Sequence, residues 1–188
     1  MPEDTTDTLP SRFPDFREDL RSSTSAAHTR LDTALSRFDL SVPTGRRAFS
    51  RVQLRGFTRL SDACDDHAAE GTQALRDTLA ALTDEASEDV SASVGATKRL
   101  HPDAVAYVTL GSQLGTSVLR KGLAEEERNG LFGLTPDKAA WRAFCQRMRD
   151  TPPDDATAAQ VREDAIRAFD IFYEEFQNEL ARSGSNPL

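Results

Sequence analysis

The chain has 188 residues, of which 38% are hydrophobic, and its 31 acidic against 23 basic side chains leave a net charge of -8. This length suits one domain with a substantial core, and the acidic balance argues against nucleic acid or an anionic membrane as a partner. No run approaches the ~20 apolar residues of a membrane span, and Cys64 and Cys145 form no disulfide framework. We expect a single cytoplasmic domain over residues 1–188, with loose tails at 1–12 and 183–188.

Apolar residues recur at steps of three and four through most of the chain, which is the spacing of amphipathic helices. No run alternates apolar and polar residues over the length of a strand. The pattern predicts helices over 15–38, 46–67, 102–126 and 156–181. It also predicts a helical segment that contains Leu75, Leu79 and Leu82, and a further helix that begins at Pro136 and is capped by Thr135. The predicted class is all-α, a compact bundle of six to eight helices counting short ones.

The most informative stretch begins at Tyr107 and reads YVTLGSQLGTSVLRKGL. A glycine in a helix interior costs about 1 kcal/mol relative to alanine, so several on one face require a partner that approaches more closely than a Cβ allows. Two partners fit this requirement: another helix crossing tightly, or a flat ligand lying across the helix. Five residues share that face at steps of three or four: Val108, Gly111, Gly115, Val118 and Gly122.

Among the three histidines, His28 is the candidate for chemistry. His67 lies in an acidic run and His101 precedes Pro102 at a helix start, so surface and capping roles suit them better. His28 lies mid-helix at the edge of the apolar stripe, with Asp32 one turn later on the same face. A carboxylate there can orient the imidazole and raise the basicity of its other nitrogen. The alternative is a partly buried histidine with an ordinary helix-surface partner.

Other motifs for catalysis or metal binding are absent from the sequence. There is no G-x-G-x-x-G, no P-loop and no G-x-S-x-G. A di-iron carboxylate site needs Glu-x-x-His pairs, whereas Ser25, Cys64 and Lys98 stand three positions before the histidines. The glycine-bearing helix and the His28 helix therefore hold the functional signal.

These two helices together resemble the haem oxygenase family. LRSSTSAAHTRLD (residues 20–32) is similar to the helix on the proximal side of the haem, and YVTLGSQLGTSVL (residues 107–119) to the distal helix. A Trp-Arg-Ala-Phe segment from Trp141 and a last helix rich in phenylalanine follow in the expected order, so the likeness spans roughly residues 17–182. It is nearest to the bacterial branch, some members of which supply biliverdin to bacteriophytochromes.

The resemblance implies cleavage of haem to biliverdin, CO and iron, with O₂ and an external electron donor such as a ferredoxin or reductase. The haem is then both cofactor and substrate, and a bacteriophytochrome is the candidate client. His28 is implied as the ligand of the haem iron. The family positions for catalysis correspond to Gly111, Ser112 and Gly115, and those for haem contact to Arg21, Asp32, Tyr107, Thr116 and Phe169. Arg21 is the first choice for the haem propionates, Tyr107 can add a hydroxyl, and Arg162 or Arg167 is an alternative cation.

The chain departs from the family pattern at three positions of the distal helix. Ser112 stands where many members have an aspartate that holds a water, Thr116 where bacterial relatives have a glycine, and Leu110 where phytochrome-linked relatives often have a glutamate. A haem- or bilin-binding protein without turnover is therefore the first alternative. A protein of this fold that binds another small molecule, as in thiaminase-like relatives, is the second.

Overall fold

The computed structural model describes residues 15–64, 69–85 and 98–184. These ranges contain seven α-helices, two short 3₁₀ helices at Arg120–Gly122 and Glu125–Glu127, and no strand. The all-α prediction and the predicted number of helices are therefore confirmed. The α-helices are α1 Phe16–Leu35, α2 Pro43–Ala63, α3 Ala69–Glu85, α4 Pro102–Leu119, α5 Gly130–Gly133, α6 Lys138–Asp150 and α7 Asp155–Gly184.

The long helix α7 organises the bundle, because α1, α2 and α4 all pack against it. Each of these helices buries one apolar face, as the three-four spacing predicts. In α1 that face includes Leu20, Ala27 and Leu31, and in α7 it includes Phe172 and Phe176. By contrast α1 and α4 contact each other only sparsely. Two helices held apart on a common support leave space between them.

Several predicted helix ends were wrong by one turn or more. The first helix ends at Leu35 rather than near 38, and the second begins at Pro43 rather than at 46. Proline is favoured in a first turn because its missing N–H has no helical partner there. The glycine-bearing helix stops at Leu119, so Gly122 lies in a 3₁₀ turn. At the other end of the chain, residues 183 and 184 belong to α7 rather than to a loose tail.

Helix caps explain two further boundaries. His101 caps α4, as predicted, because its Nδ1 accepts a hydrogen bond of 3.1 Å from the Asp103 N–H. The cap of α6 is Asp137 instead of Thr135, since its carboxylate accepts from the Ala140 N–H at 2.8 Å. Gly71 lies inside α3, where an added Cβ would fall 2.6 Å from Cβ of Ala106.

A buried ionic network joins α2 to α7. The Arg55 guanidinium donates to Glu175 at 3.0 Å and to Glu179 at 2.7 Å, and all three side chains are enclosed. Burial raises the pKa of Glu179, but hydrogen bonds from Arg51 and Arg55 outweigh it and hold that pKa below its usual value. The network therefore favours the charged form of Glu179 in the core and aligns the two helices.

A second ionic cluster ties α6 to α3 and α4. Arg147 donates to Glu70 at 2.7 Å and to Asp103 at 2.6 Å. The hydrogen bond from Arg147 lowers the pKa of Glu70 despite partial burial. Within the described ranges, neither Cys64 nor Cys145 forms a disulfide, and no helix is both long and apolar enough to cross a bilayer.

Candidate functional site

A cavity of about 1000 Å³ lies between α1, α2, α4 and α7, and we call it the central cavity. Phe169 and Phe172 of α7 line it from one side, while Leu31 and Leu35 line it from α1. Its volume is at the upper end of the range for ligand pockets, about 300–1,000 Å³. The space suits a large and largely apolar ligand.

The glycines of α4 face this cavity rather than another helix. Gly111 and Gly115 both line it, and a Cβ built on either of them would have no atom within 4 Å. Gly56 and Gly71 differ, because a Cβ there would fall 2.3 Å from the Phe172 ring and 2.6 Å from Ala106. Tight helix crossing therefore explains the latter pair, and it does not explain Gly111 and Gly115. Val108 and Val118 also line the cavity, whereas Gly122 does not.

His28 lines the same cavity from α1. Its side chain is 57% exposed, and its Nδ1 lies 3.2 Å from a carboxylate oxygen of Asp32, which also lines the cavity. The His28 ring meets the Phe169 ring edge-on, with centroids 5.3 Å apart. Because Asp32 and Phe169 restrain the ring and engage Nδ1, Nε2 is the nitrogen left for a ligand.

Polar side chains of α4 give the glycine side its hydrogen-bonding groups. Ser112 and Thr116 line the cavity beside Gly111 and Gly115. Tyr107, one turn earlier, also lines it, and its hydroxyl lies 3.3 Å from the Thr24 hydroxyl. Burial raises the pKa of Tyr107, so its phenol stays protonated at neutral pH. These groups can hold water or a polar part of a ligand without adding charge.

The basic residues predicted for this site do not lie in its lining. Arg21 is 74% exposed, and its nearest acidic oxygen is that of Glu18 at 3.6 Å. Arg162 pairs with Asp19 of α1, and Arg167 with Asp164 at 2.7 Å. All other predicted contact residues line the cavity, namely Asp32, Tyr107, Thr116 and Phe169 together with His28, Gly111, Ser112 and Gly115.

The sequence analysis did not single out several lining residues, among them Arg37, Phe49 and Gln53. Arg37 is a cation in the lining, supplied by the segment that follows α1. It escaped notice because the helix was expected to continue to Phe38. Phe49 and Gln53 line the cavity from α2. Gln53 stands one turn after Phe49, and a polar residue on an otherwise apolar face was the signal that could have revealed it.

The donor atoms of the cavity limit the kind of metal that it can hold. No group of three or more His, Cys, Asp or Glu side chains converges on a metal site within residues 15–64, 69–85 and 98–184. A bare metal ion needs several protein ligands. A single histidine is instead the complement of a metal that brings its other ligands with it, as the iron of a macrocycle does.

No family model, curated protein or solved structure matches the chain. The chemistry of the central cavity is therefore the basis on which its function can be assigned. That chemistry comprises one imidazole beside a carboxylate, exposed helix backbone at two glycines, aromatic walls, a few neutral hydrogen-bonding groups and the charged side chains of Arg37 and Asp39.

Proposed function

We propose that the protein is a haem oxygenase with a haem oxygenase-like fold. It binds haem in the central cavity and cleaves it to biliverdin, CO and iron, using O₂ and electrons from a separate donor of the ferredoxin or reductase class. One observation carries the proposal: His28 and the open backbone at Gly111 and Gly115 line a single cavity of about 1000 Å³. The sequence likeness to the family was drawn from the same two helices.

The fit between haem and cavity depends on shape and on donor chemistry. A Cβ at Gly111 or Gly115 would project into the open space, which is where a flat macrocycle requires room. Phe169 and Phe172 supply apolar contact surface. Arg37 is the lining cation suited to a propionate, in place of Arg21. Each chemical part of haem thus has a complementary group in the lining.

The residues of the chain bind and orient the substrate rather than forming an acid–base pair. His28 would hold the iron through Nε2, because its Nδ1 lies 3.2 Å from the Asp32 carboxylate. Bound haem supplies the iron on which O₂ is activated, and its own ring is the substrate. Ser112 and Thr116 hold water on the opposite side of the slot, since a hydroxyl both donates and accepts hydrogen bonds.

A second candidate is a haem- or bilin-binding protein of the same fold that lacks turnover. The observation that favours it is the absence of a carboxylate on the α4 side of the cavity, where Ser112 lies. Gln113 cannot compensate, because its amide is already bonded to Ala74, Thr78 and Asp137. Hydroxyl groups organise water less strongly than a charged carboxylate does.

A haemin titration separates these possibilities. The wild type is expected to give an intense Soret band at one equivalent, and His28→Ala to lose this band, with recovery on addition of free imidazole. Reductant and O₂ are then added to the loaded wild type. Conversion of the Soret band to biliverdin absorbance supports the oxygenase, and a stable band supports the binding protein. If the wild type takes up no haemin, both are rejected.

The remaining expectations follow from this proposal. A cytoplasmic setting provides the reduced electron donor, and a bacteriophytochrome is the client that would use the biliverdin. A different small-molecule ligand, as in thiaminase-like proteins, becomes the better proposal if His28→Ala leaves ligand binding intact.

A further inference from the structure

Gln53 is a buried amide that has no hydrogen-bond partner among residues 15–64, 69–85 and 98–184. The residue is 4% exposed and lines the central cavity from α2. None of the described residues hydrogen-bonds to its side chain, yet its amide oxygen and nitrogen are not fully enclosed by protein atoms. Buried polar groups are nearly always satisfied. The Gln53 amide is therefore available to a group that enters the cavity.

A second buried glutamine shows what a structural role looks like in this fold. Gln113 is 5% exposed, and its amide nitrogen donates to the Ala74 carbonyl and the Thr78 hydroxyl, each at 3.1 Å. Its carbonyl oxygen accepts from the Asp137 N–H at 3.0 Å. Gln113 thus links three segments of the bundle. Gln53 is equally buried but forms no hydrogen bond to any described segment. Its amide is therefore placed to bind a ligand in the cavity rather than to stabilise the fold.

The surroundings of Gln53 on α2 are apolar. Phe49 and Phe57 stand one turn before and one turn after it, and both are buried. The charged groups of the lining come instead from α1 and the segment after it, for example Asp32 and Arg37. Gln53 therefore presents a neutral hydrogen-bonding group where an α2 residue would otherwise offer only hydrocarbon.

A carboxamide places a donor and an acceptor side by side, so its best complement is another N–H next to a C=O. Apart from its propionates, the edge of haem carries C–H, methyl and vinyl groups and offers neither. Ring opening changes this, because each terminal ring of the linear product is a lactam with N–H adjacent to C=O. We propose that Gln53 recognises a terminal lactam of the open-chain tetrapyrrole, and so binds product in preference to substrate. The identity of that product rests on the proposed function.

The test compares two ligands on matched variants. Trp141 is the single tryptophan and lines the cavity, so quenching of its fluorescence reports occupancy by haemin or by biliverdin. Gln53→Leu keeps the side-chain volume and loses the amide. It is expected to weaken biliverdin binding roughly tenfold, the effect of one buried hydrogen bond, and to leave haemin binding unchanged. Gln53→Met serves in its place if the leucine variant does not fold.

Equal effects on both ligands, or no effect on biliverdin, would overturn the proposal. His28→Ala provides the opposite control, because biliverdin has no iron: this variant should lose haemin and retain biliverdin. A wild type that binds haemin but not biliverdin refutes product recognition alone. One that binds biliverdin but not haemin refutes the oxygenase and leaves the role of Gln53 standing. Binding of neither ligand refutes both.

Discussion

Replacing Gly111 and Gly115 with alanine should stabilise the protein while it impairs ligand binding. A Cβ at either position would have no atom within 4 Å, so the substitution adds no clash. Glycine in a helix interior costs about 1 kcal/mol relative to alanine. The double variant should therefore gain about 2 kcal/mol, which raises Tm by roughly 4–8 °C for a domain of this size. The same two methyl groups occupy the space that a flat ligand needs, and haemin affinity should fall at least tenfold.

Thermal denaturation and haemin titration of the same preparation measure both effects. Gly56→Ala and Gly71→Ala are matched controls, because their methyl groups would fall 2.3 Å from the Phe172 ring and 2.6 Å from Ala106. Overpacking of this kind costs about 1–3 kcal/mol, so both controls should lose stability. If the Gly111 and Gly115 variant is also destabilised, those glycines serve packing. If it is stabilised and binds haemin normally, no ligand lies against α4.

Three further predictions concern polar side chains that are wholly or partly buried. The hydrogen bond from Arg147 lowers the pKa of Glu70 below its usual 4.5. The stability that this ion pair contributes is therefore present above pH 4.5 and is lost as the pH falls through the lowered pKa. In urea titrations, Glu70→Gln should cost about 1 kcal/mol at pH 7 and progressively less below pH 4.5. Arg55→Met removes the buried guanidinium that Glu175 and Glu179 share, while Arg59 and Arg51 remain as their partners. It should lower the free energy of unfolding by about 1–3 kcal/mol; a loss below about 1 kcal/mol would mean that water reaches this network. Gln113→Leu removes three hydrogen bonds and should lower the free energy of unfolding by about 1–3 kcal/mol. Gln53→Leu should leave the free energy of unfolding unchanged or raise it. Equal losses in the two variants would contradict the contrast between the two amides.

The helices, and the residues that share each helix face of the site, were predictable because the spacing of apolar residues indicates which side chains are buried. His28 and Asp32 share a face by their four-residue spacing, and Gly111 and Gly115 stand out because glycine is costly in a helix. Both inferences need only local spacing. That the two faces line one cavity depends on α7, which supports α1 and α4 while keeping them apart, and no local pattern contains that information.

The cation and the amide of the lining could not be assigned from spacing alone. Arg21 lies on α1, but its side chain projects to solvent, whereas Arg37 reaches the cavity because α1 ends at Leu35 and the chain turns. Helix ends depend on capping and on tertiary contacts, and they are the least local feature of a helix. Gln53 and Gln113 are alike in sequence terms, and only their neighbours in space give one a structural role and leave the other to the cavity.

A crystal structure of the haemin-loaded protein tests the central claim most directly. The account predicts one haem in the central cavity, with iron bound to Nε2 of His28, Asp32 beside Nδ1, and the opposite side of the ring against the backbone at Gly111 and Gly115. Haem on the outer surface, or iron held by another side chain with the cavity filled only by water, would contradict it.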